Sequence, residues 1–497
     1  MATTTASPSD SLEDRRARGE EAARQTPLSS HAESPQAGRA DPVELLVEQN
    51  ATREPDLVPV RHGRMMVSPF TFYRGAAKVM AEDLAGTPTA GLEVQLCGDA
   101  HLSNFGAFGS PERQLLFGLN DFDETLPGPF EYDLKRMAAS FTIAARNNGF
   151  NNADAHAVTV ESVKAYREAM GEFAEMRTLD VWYANMSERD LQDALQTLGS
   201  STTPKPGKGK PGKKKGAKSK SGKGGDREVT ASVKAANKLL QKAHTRDSLH
   251  ALTRFAEVVD GKYRIVNQPP VVVPLRELKG ETWGLSHDEL RNVVDDQFQA
   301  YQRTLSDDRR RLLERFSIVD MARKVVGVGS VGTRAWMVLL QGRDTDDPLF
   351  LQVKEATRSV LESHLPKTRF NTPGQRVVEG QRIMQATPDI FLGWTKGVQD
   401  DRFYYWRQLR DMKGSAVVET QTPLRMNFYA RICGYALARS HARSGDPVAI
   451  ATYLGPDDTI DRAIAEFSDR YADLNSQDYK AFAQAAKDGR IEAQEGV

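Results

Sequence analysis

Apolar residues recur at helical spacing over much of the chain, and short extended runs interrupt them near residue 100 and again after residue 325. Ser68-Pro69 signals the start of a helix over 70–84, with Phe70, Tyr73, Ala77, Met80 and Leu84 on one face and Gly86-Thr87-Pro88 as its stop. Further helical patterns cover 132–147, 158–176, 187–198, 235–242, 288–316, 375–385 and 428–443, and the C-terminal end reads as polar helix. Strands are predicted at 92–96, 104–108, 115–119, 336–340, 349–353, 390–394 and 403–409, and 263–273 looks extended. The mixture is that of an α+β chain.

The richest chemistry lies between residues 96 and 124. Asp99, His101, Asn104, Asp121, Asp123 and Glu124 crowd one short segment. The arms 104–108 and 115–119 flank Gly109-Ser110-Pro111-Glu112-Arg113, which is turn chemistry. A hairpin returns its ends to one place, so Asp99 and Asn104 should lie beside Asp121 and Asp123. Clustered carboxylates repel unless a cation or proton sits between them. Carboxylate and amide oxygens are the hard ligands that Mg²⁺ prefers. The plainer alternative is a surface turn with solvated acids. Cys97 adjoins the cluster and reads as a small buried hydrophobe.

A second informative region starts at Val325. Gly327, Gly329 and Gly332 have the Gly-x-Gly-x-x-Gly spacing, with Ser330 among them. A dinucleotide fold needs a helix after such a loop, and here a strand follows. A glycine loop leading into a hairpin, with Lys354 ending its second strand, is the phosphate-covering arrangement of protein kinases. The alternative is a Gly-rich turn with a surface Lys. Glu379, in the helix 375–385, is the expected partner of Lys354, and Glu362 is the competitor.

Composition narrows the rest. The 497 residues allow two or three domains. The formal net charge of zero offers no basic excess for a nucleic-acid partner. Two cysteines make neither a disulfide framework nor a zinc site, which fits a cytoplasmic protein. No apolar run is long enough to span a bilayer and no signal peptide is evident. Residues 1–41 carry almost no large apolar side chains and read as a disordered tail. Residues 203–226 alternate Lys with Gly, Pro and Ser and read as a flexible linker, a solvated insertion rather than a contact for nucleic acid or acidic lipid.

Ser68 to Gly75, the acidic hairpin, Glu131 to Arg136, the glycine loop, Leu-Gln-Val-Lys-Glu-Ala and Arg-Gln-Leu-Arg-Asp-Met-Lys together resemble a bacterial family, domain of unknown function 2252. Gly98-Asp-x-His-x-x-Asn104 with Asp121-Phe-Asp123 is also similar to the catalytic and metal-binding loops of aminoglycoside phosphotransferases and related small-molecule kinases. That resemblance implies a two-lobed kinase-like fold in circularly permuted order, since the glycine loop here follows the catalytic loop. It implies Asp99, with His101, as catalytic residues, and Asn104, Asp121 and Asp123 as holders of Mg²⁺. It makes Asp133 the brace of the catalytic loop, and Lys354 and the glycine loop the binders of ATP phosphates. The strand 403–409, including Gln408, becomes the one entering the adenine hinge.

On this reading residues 42–202 hold the catalytic loop, 227–320 are a helical segment, 321–414 form the glycine-loop β lobe, and 415–497 complete the helical lobe. The expected function is an ATP- and Mg²⁺-dependent phosphotransferase acting on an unidentified substrate. The alternatives are nucleotidyl transfer or a nucleotide-binding pseudokinase on the same scaffold, or a metallophosphoesterase built on Asp99-Ala-His101. The last lacks Gly-Asp-x-x-Asp-Arg and Gly-Asn-His-Asp runs downstream.

Overall fold

A computed structural model describes residues 10–35, 38–201, 222–245, 248–259, 261–278, 287–325, 327–397, 401–409 and 412–496. Helices α1 (Leu12–Gln25), α2 (Pro42–Asn50), α3 (Val58–Met65), α4 (Pro69–Gly75) and α5 (Ala77–Ala85) lead to strands β1 (Glu93–Leu96), β2 (Phe105–Gly109), β3 (Leu115–Leu119) and β4 (Leu126–Pro129). Six helices follow: α6 (Phe130–Asn147), α7 (Asn152–Glu175), α8 (Thr178–Tyr183), α9 (Glu188–Ser201), α10 (Gly222–His244) and α11 (Ser248–Phe255). Next come β5 (Ala256–Val259), β6 (Lys262–Ile265), β7 (Val272–Pro274), α12 (His287–Gln302) and α13 (Asp307–Leu313). The chain continues through β8 (Ser317–Lys324), β9 (Ala335–Gln341), β10 (Pro348–Ala356), α14 (Pro373–Met384), β11 (Gly393–Lys396) and β12 (Phe403–Gln408). It ends in α15 (Pro423–Ala442), α16 (Pro447–Leu454) and α17 (Thr459–Lys487).

β7 to β12 form one antiparallel sheet in the order β11-β12-β10-β9-β8-β7. Successive side chains of β9 point to opposite faces. Trp336, Val338 and Leu340 therefore join Phe298, Tyr301 and Leu313 of α12 and α13 on one face. Met337 and Leu339 join Leu252 and Phe255 of α11 on the other. Burial on both faces explains why Trp-Met-Val-Leu-Leu is a continuous apolar run. Tyr301 stacks on Trp406 with ring centroids 4.5 Å apart.

The larger core lies among α6, α7, α15, α16 and α17. Every residue of α6 from Phe130 to Ala145 is buried, including Glu131, Asp133, Lys135 and Arg136. Charges taken out of water need partners, and these partners shape the site described below. No helix among the described residues is long and apolar enough to cross a membrane.

The structure corrects several expectations. Within the expected tail, α1 is a helix capped by Ser11, with its side chain and Asp14 exchanging bonds. It docks through small residues rather than large ones. A Cβ on Gly19 would come within 2.4 Å of the Ala449 carbonyl oxygen, and Arg15 pairs with Asp446 at 2.6 Å. The single helix expected over 70–84 breaks at Ala76, where ψ turns positive. The boundary drawn after 320 cuts through β8, and β7 also belongs to the sheet. The helix expected over 288–316 is two helices with a turn between them. Of the Lys-rich segment, 203–221 lie outside the described residues, and its last residues enter α10.

Candidate active site

Two short ladders hold the acidic loops. β1 pairs with β4, bringing Leu96 opposite Leu126, and β2 pairs with β3, bringing Phe105 opposite Leu119. The loops 97–104 and 120–125 are thus pinned at both ends and lie side by side. Their approach is close enough to require glycine at position 98. Gly98 has φ +83°, and a Cβ there would sit 2.3 Å from the Glu124 carbonyl oxygen.

α6 supports the first loop from beneath. The Asp133 carboxylate accepts the backbone N–H groups of Cys97 and Gly98 at 2.7 and 3.0 Å, and His441 Nε2 lies 3.3 Å away. Ser140 Oγ accepts the Leu102 N–H at 2.9 Å. From α15, the Tyr429 hydroxyl donates to the carbonyls of Leu102 and Phe105, both at 2.9 Å.

Arg136 fixes Asp99. Its Nε donates to Asp99 Oδ1 at 2.9 Å, and its second terminal nitrogen lies 2.8 Å from the same oxygen while donating to the Tyr73 carbonyl. The guanidinium stacks over the Tyr73 ring at 3.9 Å. Oδ2 of Asp99 faces His101 Nε2 at 3.8 Å. Burial raises the Asp99 carboxyl above its ordinary range, against the pull of Arg136. His101 is buried, and burial followed by the fields of Arg74 and Arg136 keeps its imidazole neutral. Asn104 donates its amide N–H to the Asp99 carbonyl at 2.7 Å. Its amide oxygen lies on the opposite side of that planar group.

Across the cavity stands β10. Lys354 is buried and forms a direct ion pair with Asp123 Oδ2, while the Tyr405 hydroxyl of β12 donates to Asp123 Oδ1 at 2.7 Å. Burial opposes the charge on Lys354, but Asp121 and Asp123 outweigh it and raise the ammonium above its usual range. Asp123 behaves conversely: burial is outweighed by Lys354 and Tyr405, and its carboxyl falls. Asp121 is raised by burial and by Asp123. Glu124, whose carboxylate accepts the Val360 N–H at 2.7 Å, is pushed up to about 7 by burial.

The glycine loop closes the cavity. Gly327 and Gly332 have positive φ, and Ser330 Oγ donates to Asp123 Oδ2 at 3.4 Å. The loop is tethered to the segment after α2. Arg53 donates to the Val331 carbonyl, Glu54 N–H to the Gly332 carbonyl at 2.7 Å, and Arg64 to the Gly327 carbonyl at 2.7 Å. One cavity of about 450 Å³ is lined by Asp99, His101, Asn104, Asp121, Asp123, Gly327, Gly329 and Ser330.

Four expected site residues do not line the cavity: Lys354 and Gly332 lie behind its wall, against Asp123 and Arg53, and Glu379 and Gln408 lie elsewhere. Glu379 does not pair with Lys354; it sits on the outer side of α14 and binds Arg382 at 2.8 Å. Among the described residues Glu362 does not pair with Lys354 either; the carboxylate on that ammonium is Asp123. The residue α14 contributes is Arg376, which donates to the backbone carbonyls of Asp123, Thr125 and Thr357 and fixes the acidic loop. Gln408 is not among the cavity residues. It ends β12 opposite Leu351, and its backbone N–H goes to Asp389 at 2.5 Å. Arg53, Arg74, Arg136 and Tyr405 also belong to the site and were not expected there. Arg74, Arg136 and Tyr405 lay inside stretches that stood out in the sequence, and Arg53 did not.

A family model for uncharacterized proteins conserved in bacteria (DUF2252) matches residues 53–207 and 219–485. The chain belongs to the DUF2252 family. The DUF2252 match starts at Arg53, inside the cavity wall, and its gap falls in the Lys-rich segment, as an insertion would. α1 lies outside it. No curated protein and no solved structure matches the chain.

The donors fit Mg²⁺ in one particular way. Both oxygens of Asp123 are engaged by Lys354 and Tyr405, so Asp123 serves as the counter-ion of the lysine. Asp121 and the Asn104 amide oxygen remain as oxygen donors. Among the described residues no group of three or more His, Cys, Asp or Glu is placed to hold a metal alone. Mg²⁺ is commonly held by one or two protein oxygens together with substrate phosphates.

Proposed function

We propose that this DUF2252 protein is an ATP- and Mg²⁺-dependent phosphotransferase with a permuted kinase-like arrangement. The observation that carries the reading is the single cavity shared by Asp99, Asn104, Asp121 and the glycine loop, with Lys354 behind it. The order strand, glycine loop, strand, Lys strand, helix (β8 to α14) supports it as well, since kinases carry the phosphate-binding Lys on the third strand of such a run.

Phosphoryl transfer asks the protein for positioning and charge neutralisation. In this cavity the glycine-loop amides and Lys354 would cradle the triphosphate, and Asp121 with Asn104 would hold Mg²⁺, which neutralises developing charge. Asp99 Oδ2, left open because Arg136 holds Oδ1, would take the proton of the acceptor hydroxyl. The acceptor O–P bond forms, the bond from Pγ to the β–γ bridging oxygen breaks, and ADP leaves with that electron pair. A metallophosphoesterase would need ligands for two metal ions, and no group of three or more His, Cys, Asp or Glu among the described residues is placed to hold one.

The test is calorimetry with ATP in the presence and absence of Mg²⁺, then mass spectrometry of a metabolite extract incubated with both. Mg²⁺-dependent binding and a product gaining one phosphoryl group are expected. Asp99→Asn should keep the binding and cut turnover by roughly 10²–10⁴. No binding of ATP under either condition would overturn the reading, and a product gaining AMP would make the protein a nucleotidyltransferase.

A further inference from the structure

Among the described residues, a cavity cation stands out because its Nε is buried without an acceptor. Arg74, at the C-terminal end of α4, lines the cavity, and its guanidinium makes no hydrogen bond or salt bridge among the described residues. Its Nε is buried without an acceptor, and the nearest ring, Phe70, lies 5.9 Å away. Asp99 and Glu419 are the carboxylates whose field reaches it. Asp99, however, is already neutralised by Arg136. The Arg74 carbonyl lies under the glycine loop, 3.1 Å from where a Cβ on Gly329 would be. Lys78, on α5 beyond the break at Ala76, lines the same wall and pairs with Glu48, which is mostly exposed. Arg358 lines it too and has no ion pair among the described residues.

A guanidinium whose Nε is buried without an acceptor is costly. The nucleotide would have its own cations, Lys354 and the ion at Asp121, both at the second acidic loop. Arg74 stands instead beside the proton acceptor, where the second substrate must enter.

Resting on the phosphotransferase reading, we propose that the acceptor is itself an anion, a small molecule carrying a phosphate or carboxylate group that Arg74 and Lys78 bind, with its hydroxyl turned to Asp99. Arginine suits this because its fork of N–H donors matches both groups in a bidentate fashion.

The probe is inorganic phosphate, with acetate as the carboxylate arm and glycerol as the neutral control. Each is titrated into protein saturated with AMP-PNP and Mg²⁺. The loaded protein should bind phosphate or acetate but not glycerol. Arg74→Gln should weaken that binding at least tenfold, Arg74→Lys should recover part of it, and AMP-PNP affinity should change less than threefold. Lys78→Gln, at a side chain 15% exposed whose ion-pair partner Glu48 lies in solvent, gives a second variant and should weaken anion binding less. Loss of AMP-PNP affinity in parallel with phosphate would assign Arg74 to the nucleotide and overturn the proposal. Anion binding that is absent, or indifferent to Arg74, would also overturn it. If AMP-PNP does not bind at all while phosphate binds through Arg74, the anion site stands and the nucleotide reading fails.

Discussion

Lys354 and Asp123 stand 231 positions apart in the chain and meet in a direct ion pair. The pair joins β10 to the acidic loop, and so joins the six-stranded sheet to the helical core. Removing one partner of such a pair strands the other charge. Lys354→Met should lower stability by about 3 kcal/mol, near the low end for buried pairs because Asp123 keeps some exposure. It should also weaken ATP binding. Urea unfolding and calorimetry on the same sample check both, and an unchanged unfolding midpoint would contradict the structural role.

Asp121 and Asp123 differ in what their oxygens touch, and their variants should differ accordingly. Asp121→Asn should reduce the Mg²⁺ dependence of ATP binding while leaving the melting temperature near that of the wild type. Asp123→Asn should instead destabilise, since it releases Lys354. In EDTA the wild type should bind ATP only weakly, because carboxylates and phosphates then repel. Equal affinity in EDTA and Mg²⁺ would refute the metal assignment.

Gly98→Ala adds only one methyl group, but at positive φ and against the Glu124 backbone. Neither loop can retreat, because each is tied to a ladder at both ends. A loss of at least about 2 kcal/mol is expected. Gly149→Ala, also at positive φ but with open space around the added carbon, should cost less. Thermal melts of the two variants make the comparison.

Glu131 lies fully buried on α6, accepts the Ala90 N–H at 2.6 Å, and is pushed up to about 7 by burial. A carboxyl raised in the folded state holds its proton there after the unfolded chain has lost it. Its contribution is complete below about 4.5 and is lost as pH rises through about 7. Lys135 beside it, pushed down to about 8 by burial, titrates above this window. His31, whose Nε2 lies 3.9 Å from Glu131 Oε1, is pushed down to about 3 by burial and changes in the opposite sense, between that value and its ordinary range and so mostly below the fall at about 7. The stability of the wild type relative to Glu131→Gln should therefore fall between pH 5 and pH 7.5, read as the difference between their melting curves.

The acidic hairpin was legible because its logic is local. Turn residues at 109–113 between two apolar arms dictate the return of the chain, and the return brings Asn104 beside Asp121. The glycine loop was legible for the same reason. What could not be read were pairings across hundreds of positions. Nothing near Glu379 announces that it faces outward, or that Asp123 will take Lys354. β8 escaped notice because Ser-Ile-Val-Asp-Met-Ala-Arg-Lys has neither strict alternation nor a continuous apolar run. α1 escaped because it packs through Gly19 and Ala22, whose close approach leaves no hydrophobic signature.

The tethering of the glycine loop by Arg53, Glu54 and Arg64 has a consequence for how a ligand would come and go. Val331 at its centre is fully buried with Leu57, Val60 and Val325. A loop already immobilised surrenders little entropy when an anion arrives, which favours tight binding. The same immobility denies it the swinging motion of a hinged cover. Residues 53–64 are bound in turn to the helical body, with Arg61 donating to the Gly75 carbonyl at 2.9 Å, so a ligand would have to enter and leave past a loop that stays in place.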